Sequence, residues 1–210
     1  MAQKLKFYSL WFVLINVIVF AIQSMYSGFT EIFVLNELAL NGQVWRFVTS
    51  IFLHGGITHL MYNMFALFFF GIALEKFIGS KRFLLVYFAS GIIANIISIN
   101  FYPSSLGASG AIMGIIGALA IIKPFMMVWA FGLILPMFIA AILWIAGDIL
   151  GALGAFGDSG IGNIAHLSGG GIGLLLGLFL RAFVKKRKKQ NNKIEIPKYY
   201  IDNWENRHMR

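Results

Sequence analysis

The sequence predicts an all-α integral membrane protein, a bundle of six transmembrane helices with a short central fourth helix. Three observations carry that expectation. Of the 210 residues, 59% are hydrophobic and only 12% are charged, against roughly 45–50% and about 25% in soluble domains. The apolar residues gather into six stretches, at about 7–26, 57–77, 82–102, 109–122, 125–147 and 163–184, measured against the roughly 20 residues that cross a bilayer. The basic residues then fall almost entirely on one side of a six-span path.

Lys4 and Lys6 precede the first stretch. That pattern could open a signal peptide, but no small-x-small cleavage site follows, so a retained first helix is expected. The connection 27–56 is amphipathic, with Trp45, Arg46, Phe47 and Phe52, and reads as a structured loop at the membrane surface. Lys76, Lys81 and Arg82 flank the turn between helices two and three. Lys123 follows helix four, and Arg181 with the run Lys185–Lys189 follows helix six. Only Arg46 lies opposite. The positive-inside rule then places both termini in the cytoplasm, whereas five or seven spans would scatter the basic clusters to both sides. The polar tail 185–210, which carries Pro197, is expected to be soluble or weakly ordered.

Helix four is the anomaly. Ser109 to Ile122 is 14 residues, about 21 Å at the helical rise, while the hydrocarbon core is about 30 Å thick. With Lys123 at the cytoplasmic boundary, Ser109 sits roughly 9 Å below the outer surface. Residues 102–108 must then enter the membrane as non-helical backbone, which is tolerated only where protein buries it or water reaches it. A wet cavity opening outward follows.

Ionisable and polar groups inside spans are costly and mark functional candidates. Counted up from the cytoplasmic basic residue of each helix, Ser109 and His166 lie about 21 and 22 Å high, and His59 and Asn63 about 25 and 20 Å. Four polar groups on three helices share one level. Gly110, Gly114 and Gly117 form a small-residue stripe on helix four, and Gly169, Gly173 and Gly177 form another on helix six. Such stripes let membrane helices approach closely, which can bring a serine on one helix to a histidine on the next.

Each feature alone has an ordinary reading. A lone intramembrane serine usually bonds back to its own helix, a histidine is a structural bond or a proton relay, and glycine faces are packing. Asn63 alone is interhelical glue. Their coincidence at one depth, with water access, favours a nucleophile activated by a base. The composition excludes other classes. With no cysteine there is no disulfide, thiol catalysis or thiolate metal site. The net charge of +9 sits in runs beside apolar segments, the pattern of orientation signals and anionic-lipid contacts rather than nucleic-acid binding.

These residues resemble the rhomboid family of intramembrane serine proteases. Trp45–Arg46 stands in the first loop, and His59-Leu-Met-Tyr-Asn63 matches the family's His-x-x-x-Asn. Glu75 falls near the end of helix two. Gly107-Ala108-Ser109-Gly110 matches Gly-x-Ser-Gly at the start of helix four, and Ala165-His166-Leu167-Ser168-Gly169 matches Ala-His-x-x-Gly in helix six, with Gly173 completing the glycine pair. His54 also has a family counterpart, of structural character. The resemblance covers residues 40–180. One departure stands out: many members carry a tyrosine four residues after the nucleophile, stacked on the catalytic histidine, where this chain has Met113.

The resemblance implies peptide-bond hydrolysis within the membrane by a Ser109–His166 dyad, without cofactor or metal. Asn63, His59 and the Ser109 backbone N–H would form the oxyanion hole, flanked by Gly107 and Gly110. Gly114, Gly169 and Gly173 would serve helix packing, and Glu75 and Arg46 are read as structural. Asp148 and Asp158 fall in the expected connection between helices five and six, so no carboxylate is expected beside His166. Substrates would be single-span membrane proteins with small or helix-breaking residues near the outer end of the span. They would be admitted laterally past helix five, where Pro136 is a candidate hinge. The expected site is the plasma membrane of a prokaryote, with the active site facing outward. The competing reading within the family is an inactive escort that binds membrane proteins without cutting them. A transporter would need repeated halves and further buried charge pairs, which are not seen.

Overall fold

In the computed structural model the chain is mostly helical, and the structure describes residues 5–157, 160–191 and 198–209. Four helical runs are long and apolar enough to cross a membrane: α1 (Tyr8–Met25), Ile57–Ile78, α6 (Ser80–Ser98), and Asn163–Val184 within α9 (Asn163–Asn191). The second run is α4 (Ile57–Ala66), a π-helical stretch at Leu67–Gly71, and α5 (Ile72–Ile78). Two shorter apolar helices are α7 (Ser109–Ile122, 14 residues) and α8 (Met137–Ala152, 16 residues).

α7 is the centre of the bundle, with all but its ends buried. Its glycines explain how so short a helix is enclosed. A side chain at Gly114 would collide with Ser90 of α6, and a methyl at Gly169 or Gly173 of α9 would overlap the Gly110 and Gly114 carbonyls. Backbone therefore meets backbone, the contact that small residues permit between membrane helices. Around it, Leu67, Leu74, Phe83, Tyr87, Ile115 and Leu119 are fully buried.

The connection after α1 is ordered. It holds α2 (Phe29–Phe33), β1 (Leu35–Asn36) and α3 (Arg46–Thr49), with a 3-10 turn at Ser50–Phe52. Arg46 is buried and donates to Gln43 Oε1 at 2.7 Å and to the Glu31 and Val34 carbonyls at 2.8 and 2.7 Å. β1 pairs antiparallel with β2 (Ser104–Ser105), stitching this loop to the stretch before α7.

Glu75 ties α1 to the bundle. It is fully buried, and it accepts from Tyr8 N–H, Ser9 N–H and the Ser9 hydroxyl, each at 3.0 Å. The first amides of a helix lack intrahelical acceptors, and α1 has no side-chain cap from its own N-cap residue. Glu75 supplies that cap from another helix, its negative charge meeting the positive end of α1.

Two sequence-based expectations need correction. Residues 125–147 are not one helix: β3 (Met127–Ala130) and β4 (Leu133–Pro136) form an antiparallel hairpin, and α8 begins only at Met137. Phe131 and Gly132 both have positive φ, 55° and 77°, the two-residue turn that suits a hairpin. Pro136 is thus a strand residue before α8, not a hinge within a helix. The hairpin lies along the bundle, with Trp129 against Phe65 and Phe131 against Trp144 of α8. In the tail, expected to be soluble or weakly ordered, α9 runs on to Asn191 and α10 spans Lys198–His208. Pro197 lies outside the described residues.

Candidate active site

Ser109 is the first residue of α7, and the N-cap Ala108 offers no side-chain acceptor. The first intrahelical bond runs from Ile112 N–H to the Ala108 carbonyl, so the amides of Ser109, Gly110 and Ala111 have no acceptor within the helix. The half-buried Ser109 at this bare end has a hydroxyl that makes no hydrogen bond among the described residues. The chain reaches this point through Gly107, at φ 125°, whose N–H donates to the Ser50 carbonyl at 2.9 Å. Asn95 of α6 fixes that anchor, donating to Ser50 Oγ at 2.9 Å and to the Phe47 carbonyl at 2.8 Å.

His59 of α4 borders the same space. A Cβ on Gly107 would stand 2.9 Å from His59 Nε2 and 3.8 Å from Ser109 Oγ, so the glycine is what lets imidazole and hydroxyl share one opening. Asn63, one turn on and buried, donates an amide N–H to the His59 carbonyl at 2.8 Å. One of its two N–H groups is therefore held by its own helix, and the other is left for a ligand. His54, in the loop before α4, packs edge-on to His59 with ring centroids 5.1 Å apart. Neither His54 nitrogen has a partner of hydrogen-bonding geometry, although the Phe52 backbone lies near enough to favour the charged form slightly. Burial, and next the His59 ring, depress the His54 pKa to about 4.

His166 stands in the first turn of α9, one residue after Ala165. The Ala165 carbonyl faces Gly110, and Gly169 meets the Gly110 backbone. The glycine approach thus brings the His166 turn alongside the Ser109 turn. Met113 is buried and lies against Gly170, one turn beyond His166. Tyr102 joins the start of α9, its hydroxyl accepting from Ile164 N–H at 3.1 Å.

The expectation that no carboxylate would face His166 is overturned. Asp148 lies on α8, 8% exposed, with Oδ1 2.9 Å from His166 Nδ1. It was missed because the hairpin moves α8 later in the chain than continuous hydropathy suggests, carrying Asp148 out of the expected loop and into a helix. Asp158 lies outside the described residues. Gly151, three residues after Asp148, is pressed against Asn163, three residues before His166, so the two helices run past each other with both pairs in register. A cleft of about 210 Å³ opens beside this contact, lined by Tyr102, Gly151, Asn163 and Ile164 among others. No cluster of three metal-ligating side chains occurs among the described residues.

The family model of the Rhomboid domain matches residues 41–183. The Bacillus subtilis protein YdcA, which carries a rhomboid-protease name, is 39% identical over 153 residues, covering 71% of each chain. Rhomboid protease GluP of the same organism is 52% identical over 85 residues, 40% of this chain but 17% of its own length. Inactive RHOMBOID-like protein 8 of Arabidopsis thaliana is 37% identical over 84 residues, 39% of this chain and 24% of its own. The chain thus spans well under half of the second and third relatives. With a matched domain that takes in α3 through most of α9, and apolar helices long enough to cross a bilayer, this integral membrane protein belongs to the rhomboid family.

Proposed function

We propose that the chain is an intramembrane serine endopeptidase that hydrolyses peptide bonds in or near the transmembrane segments of membrane proteins. Ser109 attacks the scissile carbonyl. His166 accepts its proton as general base and returns it to the leaving amine as general acid. The Ser109 backbone N–H, the free N–H of Asn63 and His59 stabilise the developing oxyanion, aided by the positive end of α7. The observation that carries this reading is the bare N-terminus of α7, with Ser109 on it, packed backbone to backbone on the helix that holds His166.

In this reading α7 and α8 join the four longer helices as a six-span core over residues 1–184, with 185–210 a basic cytoplasmic tail. Both termini face the cytoplasm of a prokaryote and the site faces outward. Substrates are single-span proteins whose helix unwinds near its outer end, because a helical carbonyl is tied up in its own hydrogen bonds.

The test is cleavage of a reporter transmembrane helix co-reconstituted in liposomes with the parent, Ser109→Ala and His166→Ala. The parent should release product, and each variant should lose about 10³-fold or more. Undiminished cleavage by either variant refutes the assignment. The kinship to a relative named inactive keeps one rival in view, an escort. A parent that binds the reporter and leaves it whole would favour that rival.

A further inference from the structure

The geometry points to Asp148 as a positioning residue for His166, an inference that rests on the proposed hydrolase reading and extends it from two residues to three. A carboxylate only accepts hydrogen bonds, so the 2.9 Å contact requires the ring to carry its proton on Nδ1. In the neutral ring Nε2, on the far edge, is then the unprotonated nitrogen, as a base toward serine must be. The same carboxylate stabilises the imidazolium that forms once the serine proton has moved, the role of the acid in the serine-histidine-acid arrangement.

Three further observations support the assignment. Asp148 sits in an otherwise apolar stretch of α8, where a carboxylate is costly unless compensated, and His166 is its one side-chain hydrogen-bond partner among the described residues. The contact is shielded, with side-chain exposures of 18% for His166 and 10% for Asp148, so the hydrogen bond is little weakened by water. Finally, the Gly151–Asn163 contact holds α8 at one height on α9. With the helices so held, the hydrogen bond sets the orientation of the His166 ring.

A merely structural carboxylate would also hold α8 against α9, so the experiment must separate the two roles. Full-length parent, Asp148→Asn and Asp148→Glu are reconstituted with the reporter helix, and ¹⁵N-histidine spectra report the tautomer of His166, assigned by its loss in His166→Ala. Asp148→Asn keeps the volume and should melt like the parent, yet lower kcat by about 10- to 1000-fold with KM within about twofold. The His166 signals should leave the Nδ1–H pattern, and Asp148→Glu should restore part of both. If Asp148→Asn keeps the parent's tautomer, the proposal is overturned, whether or not kcat changes. If the parent cuts nothing, the spectra still decide. A tautomer that shifts in Asp148→Asn upholds positioning while the hydrolase reading falls, and one that does not shift overturns both.

Discussion

Replacing Glu75 by glutamine should loosen α1 from the bundle, and the cost can be worked from three hydrogen bonds. Oε1 serves the Tyr8 amide, and Oε2 serves the Ser9 amide and hydroxyl. A glutamine keeps one acceptor oxygen. Turned toward Ser9 it retains two donors, but its NH₂ then faces the Tyr8 N–H, donor against donor. Orphaning one buried amide costs about 1–3 kcal/mol, and the two surviving bonds fall from charged to neutral strength, about 1 kcal/mol each. The expected loss is therefore roughly 3–5 kcal/mol. Glu75→Ala, which orphans every donor and leaves a cavity, should cost more. Equilibrium unfolding in mixed micelles measures the loss, and hydrogen exchange at Tyr8 and Ser9 locates it. The reasoning fails if Glu75→Gln lies within about 0.5 kcal/mol of the parent with both amides still protected.

Other consequences are equally open to measurement. Gly117→Ala sets a methyl 2.5 Å from the Gly170 carbonyl and 3.0 Å from Leu174 N; with only backbone in the way, α7 and α9 must part, costing about 1–3 kcal/mol or more, read as a lower melting temperature. Arg46→Lys replaces a fork that reaches Gln43, Glu31 and Val34 by a single ammonium, and limited proteolysis should cut faster between residues 27 and 45. For His54 the folded-state pKa, about 4, lies below the ordinary 6.5. The folded state therefore resists protonation, and stability is full above pH 6.5 and lost as pH falls toward 4, by up to about 3 kcal/mol. His54→Phe should flatten that slope in denaturant titrations, and an unchanged slope would assign it to other groups.

Some of this architecture is legible in the chain and some is not, for physical reasons. The bounds of α7 stand out because Gly107 breaks the helix before Ser109 and Lys123 ends the apolar run. The glycine stripes foretell a close α7–α9 approach because only small residues allow it. The hairpin escaped because an apolar run longer than 20 residues satisfies a span by length alone. Its signal was a single glycine after Phe131, following a segment with Val128, Trp129 and Phe131 and preceding Pro136. Asp148 escaped with it, since an error in where a helix begins decides whether an acid near its end is loop or span. The partnership of Glu75 with the start of α1 spans more than 60 residues of sequence, and no local pattern announces such a bond.

The shortness of α7 is hidden, because protein surrounds it. The shortness of α8 is not. Its 16 residues measure about 24 Å, and Ile142, Leu143, Ile149 and Leu150 look outward. In the six-span reading, lipid beside α8 meets a surface roughly 6 Å shorter than an average hydrocarbon core. The surrounding acyl chains must compress there or the helix must stand upright, at a cost that grows with every added methylene. Membranes of short-chain lipid relieve that tension and thick ones aggravate it, so the composition of the bilayer itself acts on the helix that carries Asp148.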